Sequence, residues 1–196
     1  ADRVIAVPDT SRPAAIAFAE EVSLPYREGF IKNRYSGRTF IMGDQKTRES
    51  ALRLKLNLIR AEFEGQRVVI IDDSIVRGST VRRLLDLVWA QGPRSVHLAI
   101  HSPPVLNPCY YGIDMSTKRD FVALDRSIEE IAVELGCDHL LYQTIDDMVE
   151  AVNQSANEPM EFCKACFMGE YPTGDITPEM LHDLEHDRLA AYSAPA

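Results

Sequence analysis

Residues 68–80 read VVIIDDSIVRGST and run directly into VRRLLDLVWAQG. Four β-branched apolar residues in succession fit a strand buried on both faces, the pattern of a parallel sheet covered by helices. The following segment, Val81 to Gly92, carries a helical spacing and a glycine stop. A buried strand, a tight small-residue turn and a helix restrict the chain to an α/β architecture. Ligands in such folds bind beyond the carboxyl ends of the strands, where Asp72 and Asp73 stand. Adjacent carboxylates at a buried strand end are costly unless something neutralises or pairs them. Sugar hydroxyls or a divalent cation would do so. The turn adds the hydroxyls of Ser74, Ser79 and Thr80, with Gly78 free to adopt a positive φ or let a ligand approach. The next helix aims its positive end at the turn, which suits a phosphate monoester. A pair of acids alone would read as a surface turn capping that helix. With the strand, hydroxyls, glycine and helix together, the segment reads as a site for a phosphorylated sugar.

Other phosphate sites fail on specific residues. A Walker loop needs Lys before the Ser/Thr, where this chain has Gly78, and no G-x-G-x-x-G stands at a strand end. A phospho-acceptor receiver needs a further Asp and a Lys on later strand ends, and HLAIHSPP and HLLYQT supply neither.

The rest of the chain continues the alternation. RVIAVP (3–8) reads as a strand, and DTSRPAAIAFAEEV as a turn and a helix with Pro13 in its first turn. YREGFIKNRYSGRTFIMGDQ has no helical period and reads as a long loop containing strand pieces. KTRESALRLKLNLIRAEF places Leu52, Leu56 and Ile59 on one stripe and is expected to be an amphipathic helix. SVHLAIHSPP and HLLYQT read as strands, SIEEIAVELGC and IDDMVEAVNQ as helices. The expectation is an α/β fold with a mostly parallel sheet flanked by helices over residues 1–154, and an irregular cysteine-containing tail over 155–196.

At 196 residues the chain is long enough for a sizeable core. A net charge of −9 argues against general nucleic-acid binding. Locally the sign reverses: Lys32, Arg34, Arg38, Lys46, Arg48, Arg53, Lys55 and Arg60 form a basic island suited to a small anionic ligand. No apolar run reaches spanning length and no signal peptide opens the chain, so a cytoplasmic protein without a membrane partner is expected. The first residue is Ala rather than Met, and the chain begins almost inside a strand, which reads as a piece of a longer protein.

VVIIDDSIVRGST resembles the phosphoribosyl pyrophosphate signature of the type I phosphoribosyltransferases. VPDTSRPAA, GFIKNRYSGRTFI, RLKLN and PCYYGIDM narrow the resemblance to the glutamine amidophosphoribosyltransferases, from about Arg3 to Asp175. The resemblance implies the C-terminal, transferase portion of such an enzyme, without the N-terminal glutaminase domain. The implied reaction joins phosphoribosyl pyrophosphate to ammonia derived from glutamine and releases pyrophosphate, at the start of purine synthesis. It also implies roles for individual residues. Asp72 and Asp73 hold the ribose hydroxyls and, with Thr10, Mg²⁺. Ser74, Ile75, Val76, Arg77, Gly78, Ser79 and Thr80 hold the 5-phosphate. Asp9 to Pro13 form the pyrophosphate loop, with Asp9, Thr10 and Ser11 as its binding residues. Lys32, Arg34, Tyr35 and Arg38 lie on a loop that closes over the substrate, with Lys32 and Arg38 assisting the chemistry. Purine nucleotides as feedback ligands and a homo-oligomeric full-length enzyme follow from the same likeness. The rival readings are a phosphoribosyl pyrophosphate-binding regulator without catalysis and an inactive fragment. The first lacks any visible DNA-binding module.

Four cysteines are present. One branch of the family holds a [4Fe–4S] cluster, and Cys109, Cys163 and Cys166 match three of its ligands. The fourth would lie outside this chain. Cys137 matches none and reads as a core thiol. His182 and His186, four residues apart on an acidic helix, read as a solvated face rather than a metal site.

Overall fold

The computed structural model describes residues 1–33, 56–113, 118–154, 156–177 and 179–183. These fall into two compact units. The first comprises Ala1–Asp73, Ser79–His101 and Ile128–Tyr142; the second comprises Ser74–Gly78, Ser102–Ser127 and Gln143–Ala196.

The first unit is the α/β body. Its elements are β1 (Arg3–Ala6), α1 (Arg12–Glu21), β2 (Tyr26–Arg27), β3 (Phe30–Lys32), β4 (Leu56–Leu58), β5 (Arg67–Asp72), α2 (Ser79–Trp89), β6 (Ser95–Ile100), α3 (Ile128–Leu135) and β7 (His139–Tyr142). Five strands form one sheet in the order β2-β1-β5-β6-β7, every neighbouring pair parallel. Because all strands run the same way, their carboxyl ends line up along one edge. Asp72 is in register with Ile100, and Ile100 with Tyr142.

Packing follows the alternation of side chains along the strands. Val4, Ala6, Val69, Ile71 and Ala99 form a buried cluster with Ala15 and Ala19 of α1, and Phe18 packs against it. The small α1 residues let that helix lie close to β1 and β5. Ile5, Val68, Ile70, Leu98 and Ile100 alternate with these and are equally buried. α2 buries Val81, Leu84, Leu85 and Val88, and α3 buries Ile131, Ala132 and Leu135. α3 packs on β7 and on α2, and Trp89 Nε1 donates to the Gly136 carbonyl at 2.7 Å. β5 is buried from Val68 through Ile71, as its unbroken apolar run requires.

One expectation is overturned. Within the described part of the anticipated helix 46–63, Leu56–Leu58 is β4, paired antiparallel with β3, and Arg60–Glu62 is a single 3₁₀ turn. Leu52 lies outside the described residues. The LNL triplet alternates apolar, polar, apolar, and Asn57 is its exposed member, so a period of two competes with the helical spacing of Leu56 and Ile59. Tertiary packing decides: Phe63 is fully buried and meets Phe30 edge-on, with ring centroids 5.5 Å apart. The strand pieces expected in the preceding loop are present as β2 and β3.

The second unit has little regular structure. It contains α4 (Ile145–Asn153), capped by Thr144, whose hydroxyl accepts from Asp147 N at 3.1 Å, and the short α5 (Ala165–Met168). Its buried residues include Ile75, Val105, Phe121, Val122 and Ala165. Tyr171 stacks edge-on against Tyr110 and Tyr111 and donates to the Pro108 carbonyl at 2.7 Å. The Cys166 carbonyl accepts from both Leu106 N and Asn107 N at 2.9 Å. Among the described residues, no helix is long and apolar enough to cross a membrane.

Candidate active site

The geometry of the first unit gathers polar side chains at the carboxyl ends of β1 and β5. β5 delivers Asp72 and Asp73; the loop after β1 delivers Asp9, Thr10 and Ser11 and leads into α1, with a cis Pro8–Asp9 peptide. Thr10 Oγ1 donates to Asp73 Oδ2 at 2.7 Å. Ser11, fully buried, directs its Oγ toward Asp72 Oδ1 at 3.5 Å, and Asp73 N donates to that same oxygen at 3.0 Å. Parallel pairing of β1 with β5 places the two loops side by side, so chain segments more than sixty residues apart share one site.

Burial pushes the Asp72 carboxyl up to about 7, with the neighbouring Asp73 charge adding to the effect. The Asp73 amide and Ser11 oppose the shift without cancelling it. The pair therefore resists carrying two negative charges, and a divalent cation or a set of hydroxyl donors would relieve it.

A second cluster adjoins the same loop. Arg12 Nη1 contacts Asp9 Oδ1 at 2.9 Å, and Lys32 Nζ contacts Asp9 Oδ2 at 2.9 Å. Arg12 also reaches Glu28, with Nε 3.1 Å from Oε1 and Nη2 3.4 Å from Oε2. Tyr26 donates to Glu28 Oε1 at 2.7 Å. The hydrogen bond to Glu28 holds the Arg12 guanidinium above its usual range. Burial, aided by Glu28, pushes the Tyr26 phenol up to about 12. Asp9, Arg12, Glu28, Phe30, Lys32 and Ile59 line an open cavity of about 400 Å³. The cations that surround Asp9 supply a site beside the loop where an anion can compete for them.

The expected site residues thus sort into groups. Asp9, Thr10, Ser11, Lys32, Asp72 and Asp73 lie in the first unit, where Thr10 bonds Asp73, Ser11 approaches Asp72 and Lys32 pairs with Asp9. Ser79 and Thr80 open α2 in that unit. Ser74, Ile75, Val76, Arg77 and Gly78 belong to the second unit. There Ile75 is buried, the Val76 carbonyl accepts from Val122 N at 2.8 Å, and Arg77 stands 3.7 Å from Asp120. Gly78 has the positive φ the turn calls for, +76°. Arg34, Tyr35 and Arg38 lie outside the described residues.

Cys109, Cys163 and Cys166 lie together in the second unit as free thiols. Burial raises the Cys166 thiol, and nearby Cys109 and Cys163 raise it further. Among the described residues, no group of three or more His, Cys, Asp or Glu is arranged to enclose a metal ion. Cys137 is buried, hydrogen-bonds the Ala132 carbonyl at 3.7 Å and is pushed up to about 11, a core thiol as its sequence suggested. His186 lies outside the described residues.

The motif places Arg12 in the loop without its bridge to Glu28, and gives no part to Tyr26, Glu28 or His101, whose amide donates to the Asp72 carbonyl at 3.1 Å. Arg12 stands three residues after Asp9, which was visible in the sequence. The link to Glu28 depends on the path from α1 through β2, and no local signal marks it.

Comparison with known proteins shows the family of the chain. The family described as phosphoribosyl transferase domain matches residues 1–108. The amidophosphoribosyltransferase of Methanothermobacter thermautotrophicus is 49% identical over 173 residues, covering 88% of this chain and 36% of that protein. The amidophosphoribosyltransferase of Archaeoglobus fulgidus is 46% identical over 172 residues, covering 88% and 37%. Among solved structures, the glutamine phosphoribosylpyrophosphate amidotransferase from B. subtilis, complexed with ADP and GMP, superposes with a TM-score of 0.75. It is 45% identical and covers 87% of this chain and 38% of its own. The chain therefore spans little more than a third of the length of these relatives.

Proposed function

The chain belongs to the phosphoribosyl transferase domain family, and on that premise we propose that it is the phosphoribosyl-transfer part of an amidophosphoribosyltransferase. The proposed reaction is phosphoribosyl pyrophosphate plus ammonia to phosphoribosylamine and pyrophosphate, with the ammonia drawn from glutamine by a partner domain. The observation that carries the reading is the Asp72–Asp73 pair at the end of β5, hydrogen-bonded to Thr10 and approached by Ser11 of the neighbouring loop. Carboxylates there accept the ribose hydroxyls, while Thr10, Ser11 and the cations around Asp9 face the diphosphate. Ser74 to Thr80 would take the 5-phosphate through hydroxyls and backbone N–H groups. Arg34, Tyr35 and Arg38 would close over the substrate with Lys32.

The carboxylates of Asp72 and Asp73 and the hydroxyl of Thr10 are hard oxygen donors, and a bound cation would offset the burial and the Asp73 charge that raise the Asp72 carboxyl. They fit Mg²⁺, which supplies charge neutralisation for the departing pyrophosphate. The chain's own part is to hold C1 of the ribose beneath the entering nitrogen, to offer Lys32 and Arg12 to the developing negative charge, and to keep water from C1. Little covalent assistance is needed, because preorganised charge lowers this kind of barrier. Loss of one such contact typically costs about 3 kcal/mol, roughly a hundredfold in rate.

Cys109, Cys163 and Cys166, soft sulfur donors gathered in the second unit, would supply three of the four thiolates of a [4Fe–4S] cluster. Such a cluster would brace the second unit, with the fourth thiolate supplied from outside the chain. Purine nucleotides as feedback ligands, a cytoplasmic location and a homo-oligomeric state belong to the same proposal.

The test is titration calorimetry of the chain with phosphoribosyl pyrophosphate and Mg²⁺, followed by ammonia-dependent release of pyrophosphate. Wild type should bind, and the double variant Asp72→Asn/Asp73→Asn should fold without binding. Equal affinity in a folded double variant would overturn the reading.

A further inference from the structure

β6 neighbours β5 in the sheet, and the last register pair between them joins Asp72 to Ile100. His101 stands one step further along, level with Asp73, and its amide is held by the Asp72 carbonyl at 3.1 Å. Its ring Nε2 is buried and has no hydrogen-bond partner among the described residues. A buried polar atom left in that state is costly. Imidazole at the carboxyl end of a sheet strand is also well placed to meet a ligand.

We propose that His101 holds the incoming nitrogen nucleophile, an inference that rests on the phosphoribosyl-transfer reading above. Three adjacent strand ends form a row. The loop after β1 carries Thr10, Ser11 and the Asp9–Lys32 cluster; β5 carries the carboxylates; β6 carries His101. Neighbouring strands are about 4.8 Å apart. With the diphosphate toward β1 and the ribose hydroxyls over β5, the strand end that carries His101 lies across β5 from the leaving group. Displacement at C1 brings the nucleophile from that side. In the tautomer with its proton on Nδ1, the imidazole presents a lone pair at Nε2 that accepts one N–H of ammonia. Ammonia's own lone pair then forms the C1–N bond as the C1–O bond breaks, and pyrophosphate departs with that electron pair. The imidazole takes no proton in this step, and the resulting ammonium group loses its proton to solvent. His101 therefore binds and aims the acceptor.

The experiment uses the full 196-residue chain with free ammonia, comparing wild type with His101→Phe, His101→Ser and His101→Gln. Calorimetry with phosphoribosyl pyrophosphate and Mg²⁺ is run on each. The expected result is a loss of roughly tenfold or more in kcat/KM for ammonia in the Phe and Ser variants, the scale of one hydrogen bond. Affinity for phosphoribosyl pyrophosphate should stay within about twofold, and Gln, which again offers an acceptor, should recover most of the loss. Three outcomes overturn the proposal: unchanged ammonia dependence in whichever of the Phe and Ser variants folds, a parallel loss of phosphoribosyl pyrophosphate affinity, or a Gln variant no better than Ser. Failure of the wild type to bind phosphoribosyl pyrophosphate sinks the underlying reading and this inference with it. Wild type that binds without ammonia turnover overturns the transfer reading and this inference together, whereas wild-type turnover that the His101 variants leave unchanged overturns this inference alone.

Discussion

Asp72 retains a proton up to about pH 7 because its strand end is buried and Asp73 stands beside it. Its folded-state pKa lies above the unfolded value of 3.8, so the folded chain binds more protons between those two values. Stability from this group is present below about pH 4 and is lost as pH rises toward 7, by roughly 2–4 kcal/mol at the outside. Asp72→Asn should therefore raise the melting temperature at pH 8 and leave it nearly unchanged at pH 4, while phosphoribosyl pyrophosphate binding collapses. A variant that melts lower at pH 8 would contradict this account of the pair. Lys32 tests the other half of the site. Its contact with Asp9 is half-exposed and worth no more than about 1 kcal/mol to the fold. Lys32→Met should shift the melt little but slow ammonia-dependent turnover by roughly a hundredfold. At this scale the sequence revealed much: the acids and the loop hydroxyls stand in one motif. The inequality of Asp72 and Asp73, and the clamp of Arg12 and Lys32 on Asp9, arise only when β1 and β5 pair.

Among the elements, β5 and α2 were legible because an unbroken apolar run and an amphipathic stripe each admit one interpretation. β4 was not, because Leu56 and Ile59 satisfy a helical spacing while LNL satisfies a strand, and the deciding partners are Phe30 and the strand around it. β6 and β7 carry a feature that alternation alone could not disclose. His97 and His139 are register partners whose rings stack 5.1 Å apart, nearly parallel. Burial lowers the His97 pKa, and His139 lowers it further, so the folded state favours the neutral ring. The unfolded chain then binds more protons, and stability is lost as pH falls through the unfolded value of 6.5. The His97 contribution runs opposite to that of Asp72 over this range, so His97→Phe should gain melting temperature relative to wild type at pH 5.5 compared with pH 7.5. A further element-scale expectation concerns α4: Thr144→Ala removes the hydroxyl that accepts from Asp147 N and should cost about 1 kcal/mol in chemical denaturation.

For the whole molecule, the α/β class and the parallel sheet were readable from the alternation of strands and helices. The division into units was not, since it depends on which segments pack together rather than on their order. The second unit holds the three matched thiols, and a [4Fe–4S] cluster usually requires four. The chain alone is expected to retain no stable cluster after anaerobic reconstitution, whereas a longer polypeptide supplying a fourth thiolate should show the brown chromophore. In that longer protein, Cys109→Ser, Cys163→Ser and Cys166→Ser should each bleach it, and Cys137→Ser should not. Iron and sulfide analysis with visible absorbance decides the matter. The division also bears on how such a protein is made and inherited. The polypeptide leaves or re-enters the first unit after Asp73, Gly78, His101, Ser127 and Tyr142. On the ribosome, the sheet cannot be completed until β7 has emerged, by which time both of the second unit's earlier segments have already been synthesised. In genetic recombination, no single crossover can transplant one unit without severing the other, so the two must descend together as one heritable block.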